Sequence, residues 1–279
     1  MRFHRCGAAA AALGLSLCAL VACDGDEPAG GPGSEGVRPP TAPPGTATRG
    51  TGNAQDEADV LRGKVIVIDP GHNGGNAKNP AAINRKVDIG NGRKECDTTG
   101  TSTDAGYPEH AFTWDVSNRL AKLLRARGAT VVLTRKSDTG VGPCITERAA
   151  IGNRAKADAA VSVHADGARP SGRGFHIIQP KAVKGHNAAM VPDAQRLGRA
   201  LRDAYREGTG VPYANYIGKE GLDPRNDLGG LNLSTVPKVF IECGNMRNPQ
   251  EAKKLSSAAF RQRIAVALAD GFQDYFRRN

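Results

Sequence analysis

The sequence predicts an α/β fold: a single domain built on a mainly parallel, twisted sheet of about six strands, with helices on both faces. Two observations predict it. Apolar, β-branched runs alternate with segments of helical period through residues 63–279, the pattern of strands joined by crossover helices. That stretch holds about 217 residues, one domain's worth of chain, with no internal repeat and no second module.

The elements follow in order. Residues 1–22 read as a secretory signal peptide, with Arg2 and Arg5 at its charged start and GAAAAALGLSLCALVA (7–22) as its apolar core and small-residue end. A membrane helix needs about 20 uninterrupted apolar residues, so export fits better than a span. Cys23 comes next, and LVAC resembles the lipobox of bacterial lipoproteins, which implies lipidation at Cys23 and an exported, membrane-anchored lipoprotein at the cell envelope. Residues 23–62 are acidic, rich in Gly and Pro and nearly free of large apolar residues. Such a segment cannot offset its ordering entropy, so a flexible tether is expected. Residues 24–62 carry seven acids and three bases; with the chain at +10, about +12 falls on residues 63–279. A basic domain outside the cytoplasm suggests an anionic polymer or lipid as partner. Nucleic acid is not expected, because aromatic residues are sparse and do not interleave with arginine.

Strands are expected at KVIVID (64–69), ATVVLTR (129–135), AAVSVHA (159–165), GFHIIQ (174–179) and PKVFIECG (237–244), with a shorter candidate at GGLNLS (229–234). Helices are expected at 108–128, 145–157, 193–208 and 257–278. The first has Pro108 at its start, apolar residues at Phe112, Val116, Leu120, Leu123 and Leu124, and Gly128 as a C-terminal stop. Cys96 and Cys144 lie in Gly/Pro-containing loops and are expected to pair, while Cys243 sits in a strand and stays free.

In sheets of this kind, sites gather at the carboxyl ends of the strands. His72 follows the first strand, His164 ends VSVHAD, Glu242 ends VFIECGN, and Glu109 begins a helix after a long loop. Two histidines and a carboxylate make the three-ligand set of a catalytic zinc, with a fourth position open to water; the remaining glutamate is then available to move a proton. Asp69 either orients His72 or only forms the turn. His110 is a rival ligand to Glu109, and His176 and His186 are expected at the surface.

These blocks together resemble the zinc-dependent N-acetylmuramoyl-L-alanine amidases of the Amidase_3 type. VIVIDPGHNGGN resembles the family's first strand and first histidine. Glu109 with LAKLLRARGATVVLTR resembles its ligand glutamate, helix and next strand. ERAAIGNRAKADAAVSVHAD and LNLSTVPKVFIECGNMRNPQEAKKL resemble the segments carrying the second histidine and the catalytic glutamate. The resemblance implies one Zn2+ per chain on His72, Glu109 and His164, and Glu242 as general acid/base. It implies cleavage of the amide between N-acetylmuramic acid and L-alanine in peptidoglycan or muropeptide. A monomer is expected, because no heptad or long apolar edge suggests more. The chain departs from the family in HAD at 164–166, which places Asp166 near the metal, and in ECGNMRN at 242–248, which places Cys243 beside Glu242; strand alternation should send that thiol to the opposite face. The long loop at 73–108 is a third departure, and no helix is expected to block the cleft. The ligand set would also permit a zinc peptidase acting on the stem peptide. A non-catalytic peptidoglycan-binding lipoprotein is the other alternative.

Overall fold

The computed structural model describes residues 60–279. The expected signal peptide, Cys23 and nearly all of the expected tether lie outside the described residues; Leu61, at the expected end of the tether, is fully buried in the core. The elements are β1 (Val65–Pro70), α1 (Pro80–Ile83), β2 (Lys86–Asp88), β3 (Arg93–Glu95), α2 (Glu109–Ala126), β4 (Thr130–Leu133), α3 (Ile145–Arg154), β5 (Ala159–Asp166), β6 (His176–Pro180), α4 (Val191–Thr209), β7 (Leu222–Arg225), α5 (Gly229–Asn232), β8 (Lys238–Asn245), α6 (Pro249–Leu255) and α7 (Ala258–Arg277). Six strands form one sheet in the order β4-β1-β5-β8-β6-β7, and β2 pairs with β3 in a separate hairpin. Every pairing in the large sheet is parallel except β6 with β8. The expected fold class is therefore observed.

The period of two along each strand divides the sheet into unlike faces. Ile66 and Ile68 of β1, Val161 and Val163 of β5, and Val239, Ile241 and Cys243 of β8 belong to the main core. The long helices α2, α4 and α7 cover that face, packing on the sheet and on one another. The intervening residues point the other way. Beyond a small apolar cluster of Val67, Ala157, Ala160 and Val236, that face carries Asp69, Ser162, His164, Lys238, Phe240 and Glu242. One face is thus structural, and the other is free for chemistry.

Three expectations need correction. GGLNLS is not a strand: Gly229–Asn232 form one helical turn, against which Ile89 and Ile145 pack so closely that a Cβ on Gly229 would fall 2.7 Å from Ile89. The sixth strand is instead Leu222–Arg225, whose LDPR sequence carries no strand signal; β7 is an edge strand, where proline is tolerated. The 73–108 loop is also partly ordered, containing α1 and the β2–β3 hairpin. Cys96 and Cys144 are joined in a disulfide, and Cys243 is free and buried. Among the described residues no helix is long and apolar enough to cross a membrane.

Candidate active site

β1 ends at Pro70, and the next two residues set the position of the first histidine. The Gly71 amide donates to the Val163 carbonyl at 3.1 Å, which locks the exit of β1 to β5. A Cβ on Gly71 would lie 2.2 Å from the His164 ring, so only glycine fits. His72 itself has φ +59°, a left-handed conformation unusual for a residue with a side chain. The turn delivers its imidazole to Glu109, with Nε2 3.1 Å from Oε1.

Glu109 stands in the first turn of α2 and is buried. Its Oε1 is also 3.0 Å from His164 Nδ1 and accepts from the Ala165 amide, while Oε2 accepts from the Thr101 amide at 2.9 Å. His164, near the end of β5, stacks on Phe240 of β8 with ring centroids 5.1 Å apart. The two imidazoles meet edge-on at 4.8 Å. One donor atom from each of His72, Glu109 and His164 lies within 4.8 Å of the others, so the group could hold a metal ion.

The surroundings fit that task. The Thr98 carbonyl is 3.1 Å from His72 Nδ1 and Asp97 Oδ1 is 3.6 Å from it, which leaves Nε2 as the inward-facing atom. Burial alone would lower the His72 pKa, but Glu109 and Asp97 outweigh it and push it up to about 10. The Glu109 and Asp97 carboxylates give this point a negative potential, which would favour a bound cation. Asp97 is held in turn by Arg148 at 3.0 Å, and it directly follows disulfide-bonded Cys96.

Glu242 lies beside this group: in the β5–β8 register it is the partner of His164. Its Oε2 is out of solvent and has no hydrogen-bond partner among the described residues. Burial, then the nearby Glu109 and Asp166 carboxylates, push its pKa well above the usual range. A carboxyl with raised pKa, one free oxygen and a place on a cleft wall is suited to exchanging protons. The cleft encloses about 390 Å³. Beyond the polar group its walls include Ile145, Ile178, Leu228 and Phe240, with Lys94 and Arg225 among the charged lining residues. Residues 188–190 form a single 3-10 turn before α4 and do not line it, so among the described residues no inserted helix blocks the cleft.

The four expected residues thus converge. His110 does not join them; its Nδ1 pairs with Asp138 at 2.8 Å. Asp69 neither touches His72 nor merely makes a turn: its carboxylate receives Thr134, Arg148, Ser162 and Lys238. Asp97, in a loop with no motif, takes the place beside His72. Cys243 points into the main core as alternation requires, and Asp166 both accepts from the Gly167 amide and lines the cleft. His186 is exposed as expected. His176 is not; it is 1% exposed, because β6 is an interior strand of the sheet.

The profile of the N-acetylmuramoyl-L-alanine amidase family matches residues 66–274. The N-acetylmuramoyl-L-alanine amidase Rv3717 of Mycobacterium tuberculosis is 44% identical over 212 residues, covering 76% of this chain and 86% of the relative. AmiA of Escherichia coli, another protein of that name, is 27% identical, with 81% of each chain covered. The crystal structure of the amidase Ami1 from Mycobacterium smegmatis superposes with a TM-score of 0.74 at 41% identity, covering 78% of this chain and 99% of that one. The matched span runs from β1 into α7 and includes every strand that bears a site residue, and on that ground the chain belongs to the N-acetylmuramoyl-L-alanine amidase family, Amidase_3.

Proposed function

We propose that this protein is a zinc-dependent N-acetylmuramoyl-L-alanine amidase, cleaving the amide between N-acetylmuramic acid and the L-alanine of the peptidoglycan stem peptide. One observation carries the reading. A His72–Glu109–His164 donor group stands beside a glutamate, Glu242, whose buried oxygen has no partner. The names of the similar proteins support the bond and the substrate. Zinc on the three donors would polarise the scissile carbonyl and bring the pKa of an attacking water down toward ~7.

The chain's own residues do the rest. Glu242 takes the proton from the attacking water and returns it to the amide nitrogen as that bond breaks, the dual role open to a carboxyl of raised pKa. Asp97 and the Thr98 carbonyl fix the His72 ring through Nδ1. The Thr101 and Ala165 amides hold the Glu109 carboxylate against rotation. The apolar side of the cleft accepts the uncharged parts of the substrate. In this reading the protein is exported by residues 1–22, anchored through lipid on Cys23, and gains reach from the tether at 23–62.

Product analysis tests the reading. Purified protein is incubated with peptidoglycan and with muropeptides, with and without a strong chelator. New L-alanine amino termini that disappear on chelation and return with zinc are expected. A cut within the stem peptide, or no cut by zinc-loaded protein, would overturn the proposal.

A further inference from the structure

Three strands line up their titratable side chains at one level of the sheet. His164 of β5 is in register with Glu242 of β8, and Glu242 is in register with His176 of β6. Register partners point to the same face. Glu242 is therefore flanked by two histidines, of which only His164 belongs to the metal-binding group. His176 is fully enclosed, at 1% exposure, yet its Nδ1 has no hydrogen-bond partner among the described residues. The Glu242 Oε2 is in the same condition. Buried polar atoms are nearly always paired, and two unpaired ones on directly opposed residues call for an explanation. Opposed Cβ atoms on antiparallel strands stand about 4.5–5.5 Å apart. Rotation about the broad terminal torsions of Glu and His bridges that gap.

We propose that His176 is the positioning residue for Glu242: its ring N–H donates to the carboxyl, holds one oxygen in place and leaves the other facing the substrate. The inference rests on the role given to Glu242 above. The ring's other neighbours agree with it. Tyr216 meets the imidazole edge-on, with centroids 6.1 Å apart, and fixes its plane. Asp166 of β5 and Asp223 and Arg225 of β7 are the charged groups that act on it. Burial outweighs the two acids and lowers the His176 pKa, so the ring is neutral at working pH and adds no charge beside the metal-binding group.

The test uses full-length protein loaded with zinc, comparing His176→Phe, which keeps a flat buried ring without a donor, with His176→Gln, which restores one. His176→Phe is expected to lower kcat about 10–100-fold, with KM within about twofold and zinc content unchanged. His176→Gln should recover kcat to within about threefold of the parent. If His176→Phe does not fold, His176→Met serves as the variant without a donor. Unchanged kcat in the variant without a donor overturns the proposal. So do equal losses in the two variants, or a loss that follows zinc content. Glu242→Gln is measured alongside; if it keeps full activity, the role of Glu242 itself fails, and that result is separable from a failure at His176.

Discussion

A single methyl group at Gly71 would collide with the imidazole ring of His164 at 2.2 Å, while the neighbouring His72 depends on a left-handed backbone. Gly71→Ala is therefore expected to displace His164 and to leave the protein folded but unable to retain zinc. Circular dichroism together with metal analysis checks this; stoichiometric zinc in the variant would contradict it. Asp97 acts more gently, through His72 Nδ1. Asp97→Ala should weaken zinc binding by about 10–100-fold, measured by competition with a chromophoric chelator. The unequal legibility of these residues has a physical cause. His72, His164 and Glu242 follow strong strand signals, and the fold's geometry says that strand ends form the site. Asp97 reaches His72 from a loop fixed by the adjoining disulfide of Cys96 to Cys144, 48 residues further on, and no local pattern reveals that.

At the scale of elements, Asp69 joins β1 to the residue just after β4, to α3, to β5 and to β8, since Thr134, Arg148, Ser162 and Lys238 all converge on its carboxylate. Burial alone would raise its pKa, but Lys238 and Arg148 hold it well below the usual value of 3.8. A carboxylate depressed in the folded state contributes stability that is fully present above its unfolded pKa and is lost as pH falls through the folded one. Urea midpoints should accordingly hold steady toward neutrality and drop below about pH 4, and Asp69→Asn should flatten that part of the dependence. Because the substitution also leaves buried Lys238 without its carboxylate, while Arg148 keeps Asp97, it should cost roughly 3–5 kcal/mol near neutral pH. The Cys96–Cys144 bridge spans 48 residues, and closing a loop of that size corresponds to about 4 kcal/mol in the chain-entropy description. Reduction should lower the denaturant midpoint, and an unchanged midpoint would show that hairpin contacts alone hold the loop. The long helices and interior strands were readable because their apolar period is continuous. The β7 edge, the β2–β3 hairpin and α5 were not, because their conformation comes from contacts with distant residues; the Asn232 side chain, for example, donates to the carbonyls of Ile89 and Asn226.

For the molecule as a whole, charge is the property that reaches furthest. The chain's net +10 divides into about +12 on residues 63–279 against an acidic segment at 24–62. Attraction between such a domain and an anionic polymer is screened within about 8 Å at physiological ionic strength. Co-sedimentation with cell-wall material should fall steeply as salt is raised, while hydrolysis of a small uncharged muropeptide analogue should not; equal salt dependence of the two would show that charge plays no part in holding the protein to its polymer.

The spacing of the site along the chain also bears on biosynthesis. His72 emerges early, whereas β8 with Glu242 and the α7 helix that closes the core against α2 and α4 come last. A chain still being made, or cut short before residue 238, lacks Glu242, the residue proposed as acid/base, and leaves a hydrophobic face uncovered. A lytic activity built this way cannot begin on a fragment that lacks β8 or α7.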